Sequence, residues 1–180
     1  MKQISGGALI TKILIQNGIS KAFCVPGESY LGVLEAIRES KNKFDLVVCR
    51  HEGGAAYMAE AYGRLTQMPG ICFVTRGPGA CNASIGVHTA YHEGTPLILF
   101  VGQVPVKSLK KNAFQSIDTD KFFNSMAKYT ETIKDPKNIR KILEKAIYIS
   151  TEGKPGPVVL GIPEDIQFAM VSDKISEVLE

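Results

Sequence analysis

The most constraining feature of this chain is a repeated alternation: a short apolar run, a turn holding glycine or proline, then a longer segment with helical spacing. Strands are expected over 22–25, 45–49, 71–75, 97–101 and 158–162, each built on an unbroken apolar stretch. A strand buried on one face alternates apolar with polar residues, whereas one that is apolar at successive positions needs cover on both faces. The intervening segments supply that cover. Ala8, Leu9, Ile13 and Leu14 share one face of a helix over 4–16, which Asn17 and Gly18 are suited to end, and Leu31, Leu34 and Ile37 share one face over 30–39. Further helices are expected over 53–66, 80–92 and 136–151, with a short strand over 129–133. Residues 104–126 are less regular, and the chain turns polar and irregular after Pro163, with a weak helical signal over 172–179. The pattern predicts a doubly wound α/β fold, with a mainly parallel sheet of about six strands and helices on both faces.

At 180 residues the chain suits one domain with a full core. A net charge of +3, with lysine and arginine scattered rather than striped, gives no footprint for nucleic acid. No apolar run approaches the roughly 20 residues that span a bilayer, so no membrane partner is expected. The first residues lack the apolar core of a signal peptide, which makes the cytoplasm the expected location. Cysteines stand at 24, 49, 72 and 81 with no Cys-x-x-Cys pair. The first three sit in apolar runs and read as small buried hydrophobes, and Cys81 reads as structural in the first turn of a helix. His88 and His92 are one helical turn apart, but no third ligand stands at suitable spacing, so no metal site is expected.

Chemistry is concentrated in three turns that follow strands and therefore share one sheet edge: Pro26-Gly27-Glu28, His51-Glu52-Gly53-Gly54 and Thr75-Arg76-Gly77-Pro78-Gly79. Open α/β sheets build their sites at that edge. Glu52 falls where a strand ends and a helix begins, and the two glycines after it permit close approach of a ligand. A carboxyl there can serve a ring nitrogen as hydrogen-bond partner, although acidic residues are also favoured in any first helical turn. The third turn opens a segment of small residues, with Asn82 and Ser84 near its start. It has neither the Gly-x-Gly-x-x-Gly of a dinucleotide fold nor the Gly-Lys-Ser/Thr of a phosphate loop, and so suits a flat, uncharged ligand better than an anion.

These blocks, in this order, carry a resemblance. The Val-Pro-Gly-Glu turn, Arg50-His51-Glu52, the run 69–80, Thr95-Pro96-Leu97-Ile98, Val101-Gly102-Gln103-Val104-Pro105, Ala113-Phe114-Gln115 and Gly156-Pro157-Val158 resemble the N-terminal, pyrimidine-binding domain of thiamine diphosphate enzymes, in the acetolactate synthase branch. The resemblance covers 1–168, leaving 169–180 as a linker or the start of a following domain. It implies that the Glu52 carboxyl hydrogen-bonds N1′ of the aminopyrimidine, which activates the thiazolium for attack on a 2-oxo acid such as pyruvate. It places Pro26, Thr75, Pro78, Gly79 and Asn82 along the pyrimidine, and Gly27, Glu28, Phe114 and Gln115 toward the substrate. Tyr57, Met58 and Tyr62 become interface or core residues, because the matching helix meets a partner subunit in relatives.

Relatives hold the diphosphate and Mg2+ through a Gly-Asp-Gly signature in a second domain, and this sequence contains no Gly-Asp-Gly. The resemblance therefore implies half an active site, completed by a diphosphate-binding domain from the same gene or a partner chain, and a homodimer formed through this domain. Arg76 and Cys81 stand where acetolactate synthases commonly have serine and threonine. These departures leave the substrate open between carboligation and simple 2-oxo acid decarboxylation, and leave FAD open as a second cofactor. A split small subunit and a non-catalytic module that kept the fold are the alternatives.

Overall fold

The computed structural model describes residues 3–40 and 42–173. Six strands form one sheet: β2 (Lys21–Cys24), β3 (Asp45–Val48), β4 (Gly70–Thr75), β5 (Leu97–Gln103), β6 (Tyr129–Thr132) and β7 (Pro157–Pro163), in the order β3-β2-β4-β5-β7-β6. All of its pairings are parallel. The unbroken apolar runs occupy the middle, where β5 and β7 are buried at every position, while the edge strands β3 and β6 are only partly covered.

Two apolar layers sandwich the sheet. On one face pack α1 (Gly6–Gln16), α2 (Leu31–Glu39) and α6 (Ile139–Thr151), through Leu9, Ile13, Val33, Ile37, Ile142 and Leu143. On the other face pack α3 (Glu52–Thr66) and α4 (Arg76–Glu93), whose buried residues are mostly alanine and glycine. That small-residue seam draws the two helices together, to the point that a Cβ at Gly86 would lie 2.5 Å from the Cβ of Ala56. A second close approach sits at the start of β4, where a Cβ at Gly70 would lie 1.8 Å from the carbonyl oxygen of Ala59.

The sequence reading and the structure differ in four places. Residues 3–5 form β1 (Gln3–Ser5), with Ser5 accepting a hydrogen bond from the Ala8 N–H as cap of α1. The irregular stretch holds the short α5 (Thr119–Phe123). The polar tail after Pro163 forms α7 (Glu164–Phe168) and then β8 (Met170–Ser172), which pairs antiparallel with β1. Ser172 is thus in a strand, and the rest of the expected helix, from 174 onward, lies outside the described residues. Finally, α4 starts at Arg76 rather than residue 80. A proline needs no N–H partner in a first helical turn, so Gly77-Pro78-Gly79 begins the helix instead of preceding it.

Candidate functional site

The strand order places a topological switch between β2 and β4, since the chain leaves β2 toward β3 and leaves β4 toward β5 on the other side. The crevice beyond the carboxyl ends of such a strand pair is where open α/β sheets take ligands. Here it is built by the turn after β2 and the start of α4. The hydroxyls of Ser29 and Thr75 lie 2.5 Å apart across it. Only glycine fits at position 27, because a Cβ there would sit 2.3 Å from the Thr75 Oγ1. Below, Tyr30 donates its hydroxyl to the Val25 carbonyl and continues into stacked Phe73 and Phe100, so the floor of the crevice is packed core.

Glu52 is the first residue of α3, directly after the edge strand β3. His51 caps the helix, its Nδ1 accepting from the Gly53 N–H at 3.0 Å. The Glu52 carboxyl is half-buried, and its Oε2 accepts a hydrogen bond of 2.9 Å from the Asn82 side-chain amide on α4. The α3–α4 seam thus positions both partners. Two residues on, Gly54 is exposed, and a Cβ there would meet no atom within 4 Å. A half-buried carboxyl with one oxygen held by an amide fits the hydrogen-bond demand of an aminopyrimidine ring.

The remaining expected site residues fall around these two features. Pro26 is exposed in the turn after β2. Glu28 is also exposed, and its carboxylate lies 3.4 Å from the Arg76 guanidinium. Thr75 stands just before α4 without a side-chain capping bond, Pro78 is exposed in the first turn, and Gly79 is buried against Val74. Gln115 holds a left-handed backbone conformation, with φ of 59°, and its carbonyl accepts from the Gly77 N–H at 2.8 Å. That bond ties the 113–117 loop to the start of α4. Phe114 is 76% exposed. On the outer face of α3, Tyr57 and Met58 are exposed, whereas Tyr62 packs edge-on against Phe23.

Sequence reasoning missed three contributors. Ser29 has no motif of its own and is found only through its contact with Thr75. Arg76 appears in the sequence as a departure from its relatives. In the structure its buried guanidinium reaches Glu164 of α7 at 2.6 Å as well as Glu28, joining the ends of three strands. Gln167, wholly buried, donates to the Ser29 and Ile162 carbonyls at 2.8 and 2.9 Å and fixes the turn from behind. Their partners lie far along the chain, so no local spacing announces them.

Burial raises the thiols beneath the site. It pushes Cys24 up to about 11 and Cys72 well above the ordinary thiol value, which keeps both protonated at neutral pH. They behave as packing groups, as does Cys49 in its half-buried place, while Cys81 is exposed on α4.

This arrangement defines a class. The chain belongs to the thiamine pyrophosphate enzyme family, residues 4–122 matching its N-terminal TPP binding domain. Acetolactate synthases are among its relatives. The chain is 34% identical over 172 residues to the mitochondrial catalytic subunit of Saccharomyces cerevisiae, and 35% identical over 166 residues to the isozyme 3 large subunit of Escherichia coli. It is 36% identical over 165 residues to the large subunit of Haemophilus influenzae. These alignments take in 96%, 92% and 92% of this chain but only 25%, 29% and 29% of the three relatives. The chain thus spans little more than a quarter of the proteins it matches.

Proposed function

We propose that this chain is the pyrimidine-binding half of a thiamine diphosphate-dependent enzyme of acetolactate synthase type, acting on a 2-oxo acid such as pyruvate. The observation that carries the reading is the Glu52 carboxyl at the start of α3, held by the Asn82 amide of α4. When bound, thiamine diphosphate supplies a thiazolium carbon able to add to a 2-oxo acid and to accept the electrons released with carbon dioxide.

The chain's own residues then have defined work. Asn82 occupies the Glu52 Oε2 as donor, which leaves Oε1 to hold or give up a proton toward a ring nitrogen. Thr75 and Gly27 set the depth of the crevice. Glu28 and the 113–117 loop stand at its mouth, where substrate would enter. The diphosphate and Mg2+ are assigned to a further domain, of this gene or a partner chain, and the relatives' much greater length supports that assignment. A homodimer is assigned to the outer face of α3 and α4, which exposes Tyr57, Met58, Leu65 and Ile85.

The test is Glu52→Gln in the full-length enzyme, followed by NMR of hydrogen–deuterium exchange at C2 of bound thiamine diphosphate. Glutamine keeps the shape but cannot act as a general acid or base near neutral pH, and the expected slowing is about 10²–10⁴-fold. Exchange at the unmutated rate would overturn the role of Glu52.

A further inference from the structure

On the face of the sheet opposite Glu52, a cavity of about 510 Å³ opens between α1, the start of α6 and the β1–β8 ribbon. Its walls combine Leu9, Met170 and Val171 with Gln3, Lys137 and Arg140. No carboxylate is among its described lining residues. The size is that of a small-molecule site, for which about 300–1,000 Å³ is usual.

Arg140 is the informative residue. It is 9% exposed, in the first turn of α6. Its Nη1 donates to Glu144 at 3.0 Å, but its Nη2 is buried with no hydrogen-bond partner. A buried donor left without a partner is unfavourable, and a ligand that accepts from it removes that cost. The turn Pro136–Asn138 that leads into α6 is capped by Asp135, whose Oδ1 accepts from the Lys137 N–H at 2.9 Å, so the positive charge at the cavity comes from the side chains of Arg140 and Lys137. An orphaned guanidinium nitrogen and a nearby lysine, beside the apolar Leu9, Met170 and Val171, describe one kind of ligand.

We propose that this cavity binds a small organic anion, a carboxylate carrying a short aliphatic body. The carboxylate lies between Arg140 and Lys137, and satisfies Nη2 after a small shift of the guanidinium. The aliphatic part lies on Leu9, Val171 and Met170. The inference does not depend on the thiamine diphosphate reading, because none of these residues takes part in the Glu52 site.

Amide NMR titrations of the full-length protein with hexanoate, hexan-1-ol and inorganic phosphate test it. Hexanoate is expected to shift Lys137, Arg140 and Val171 saturably. Hexanol and phosphate, which each offer half of the ligand, should bind about tenfold more weakly or not at all. Arg140→Met should weaken hexanoate about tenfold, the loss expected for one charge-assisted hydrogen bond. Lys137→Gln, at an exposed position that leaves the fold untouched, should weaken it severalfold and decides the matter if Arg140→Met does not fold. Hexanoate shifts absent from the cavity, or equal in wild type and Lys137→Gln, would overturn the proposal. So would equal binding of hexanol, which would mark an apolar cleft, or equal binding of phosphate, which would mark a bare cationic patch.

Discussion

The contact between α3 and α4 can be tested by adding single methyl groups. At Gly86 a Cβ would lie 2.5 Å from the Ala56 Cβ and 2.8 Å from its carbonyl carbon. Carbon atoms pack at about 3.5–4.0 Å, so Gly86→Ala must part the helices by about 1 Å. The obstacle includes backbone, which cannot rotate aside, and places the cost near the top of the overpacking range, about 3 kcal/mol. Alanine returns about 1 kcal/mol through its helix propensity. The net loss is about 2 kcal/mol, or a fall in Tm of about 4–8 °C for a domain of this size. Gly54→Ala, in α3, gains the same propensity with nothing within 4 Å to meet, and should raise Tm by about 2 °C. Thermal melts of the chain followed by circular dichroism give both values, and Ala56→Gly combined with Gly86→Ala should recover part of the loss. A Gly86→Ala protein that melts at or above the wild-type temperature would refute the close seam. It would also leave the Glu52–Asn82 geometry without its physical cause.

Two further predictions follow from burial. Desolvation first, and the neighbouring Asp118 charge second, raise the Asp120 carboxyl above its ordinary value, with Lys134 and Thr119 opposing, and its Oδ1 is buried without a partner. A raised acid favours the fold while protonated and costs stability as pH rises through its folded value. Asp120→Asn should therefore raise Tm at neutral pH, with the gain shrinking as pH falls into the carboxylate range; a gain equal at pH 4 and 7 would count against it. Alkylation at pH 8 followed by mass spectrometry should modify Cys81 quickly and leave Cys24 and Cys72 unmodified until the protein unfolds, and rapid labelling of either buried thiol would contradict the packing.

Much of this architecture is legible in the sequence because burial on both faces leaves its mark on consecutive residues. Ile71 to Val74 and Leu97 to Val101 could lie nowhere but inside a covered sheet. The placing of Glu52 at a strand–helix junction follows from the same reasoning. What could not be read are features held by distant partners. β1 and β8 have three residues each and no periodicity; they exist because each satisfies the other. The Arg76–Glu164 pair joins residues 88 apart in the chain. The start of α4 was hidden for a local reason, since Gly-Pro-Gly has the composition of a turn even when it forms the first turn of a helix.

The β1–β8 ribbon has a mechanical consequence. Gln3 and Ser172 are cross-strand neighbours at its outer rung, followed inward by Ile4 with Val171 and Ser5 with Met170. Tension between those two ends loads the rungs in turn, as a zipper is opened, whereas tension along parallel strands would have to shear many bonds at once. A pull transmitted from neighbouring polypeptide is therefore absorbed first in this short clasp. The sheet that supports α3 and Glu52 stays unloaded until the clasp has opened.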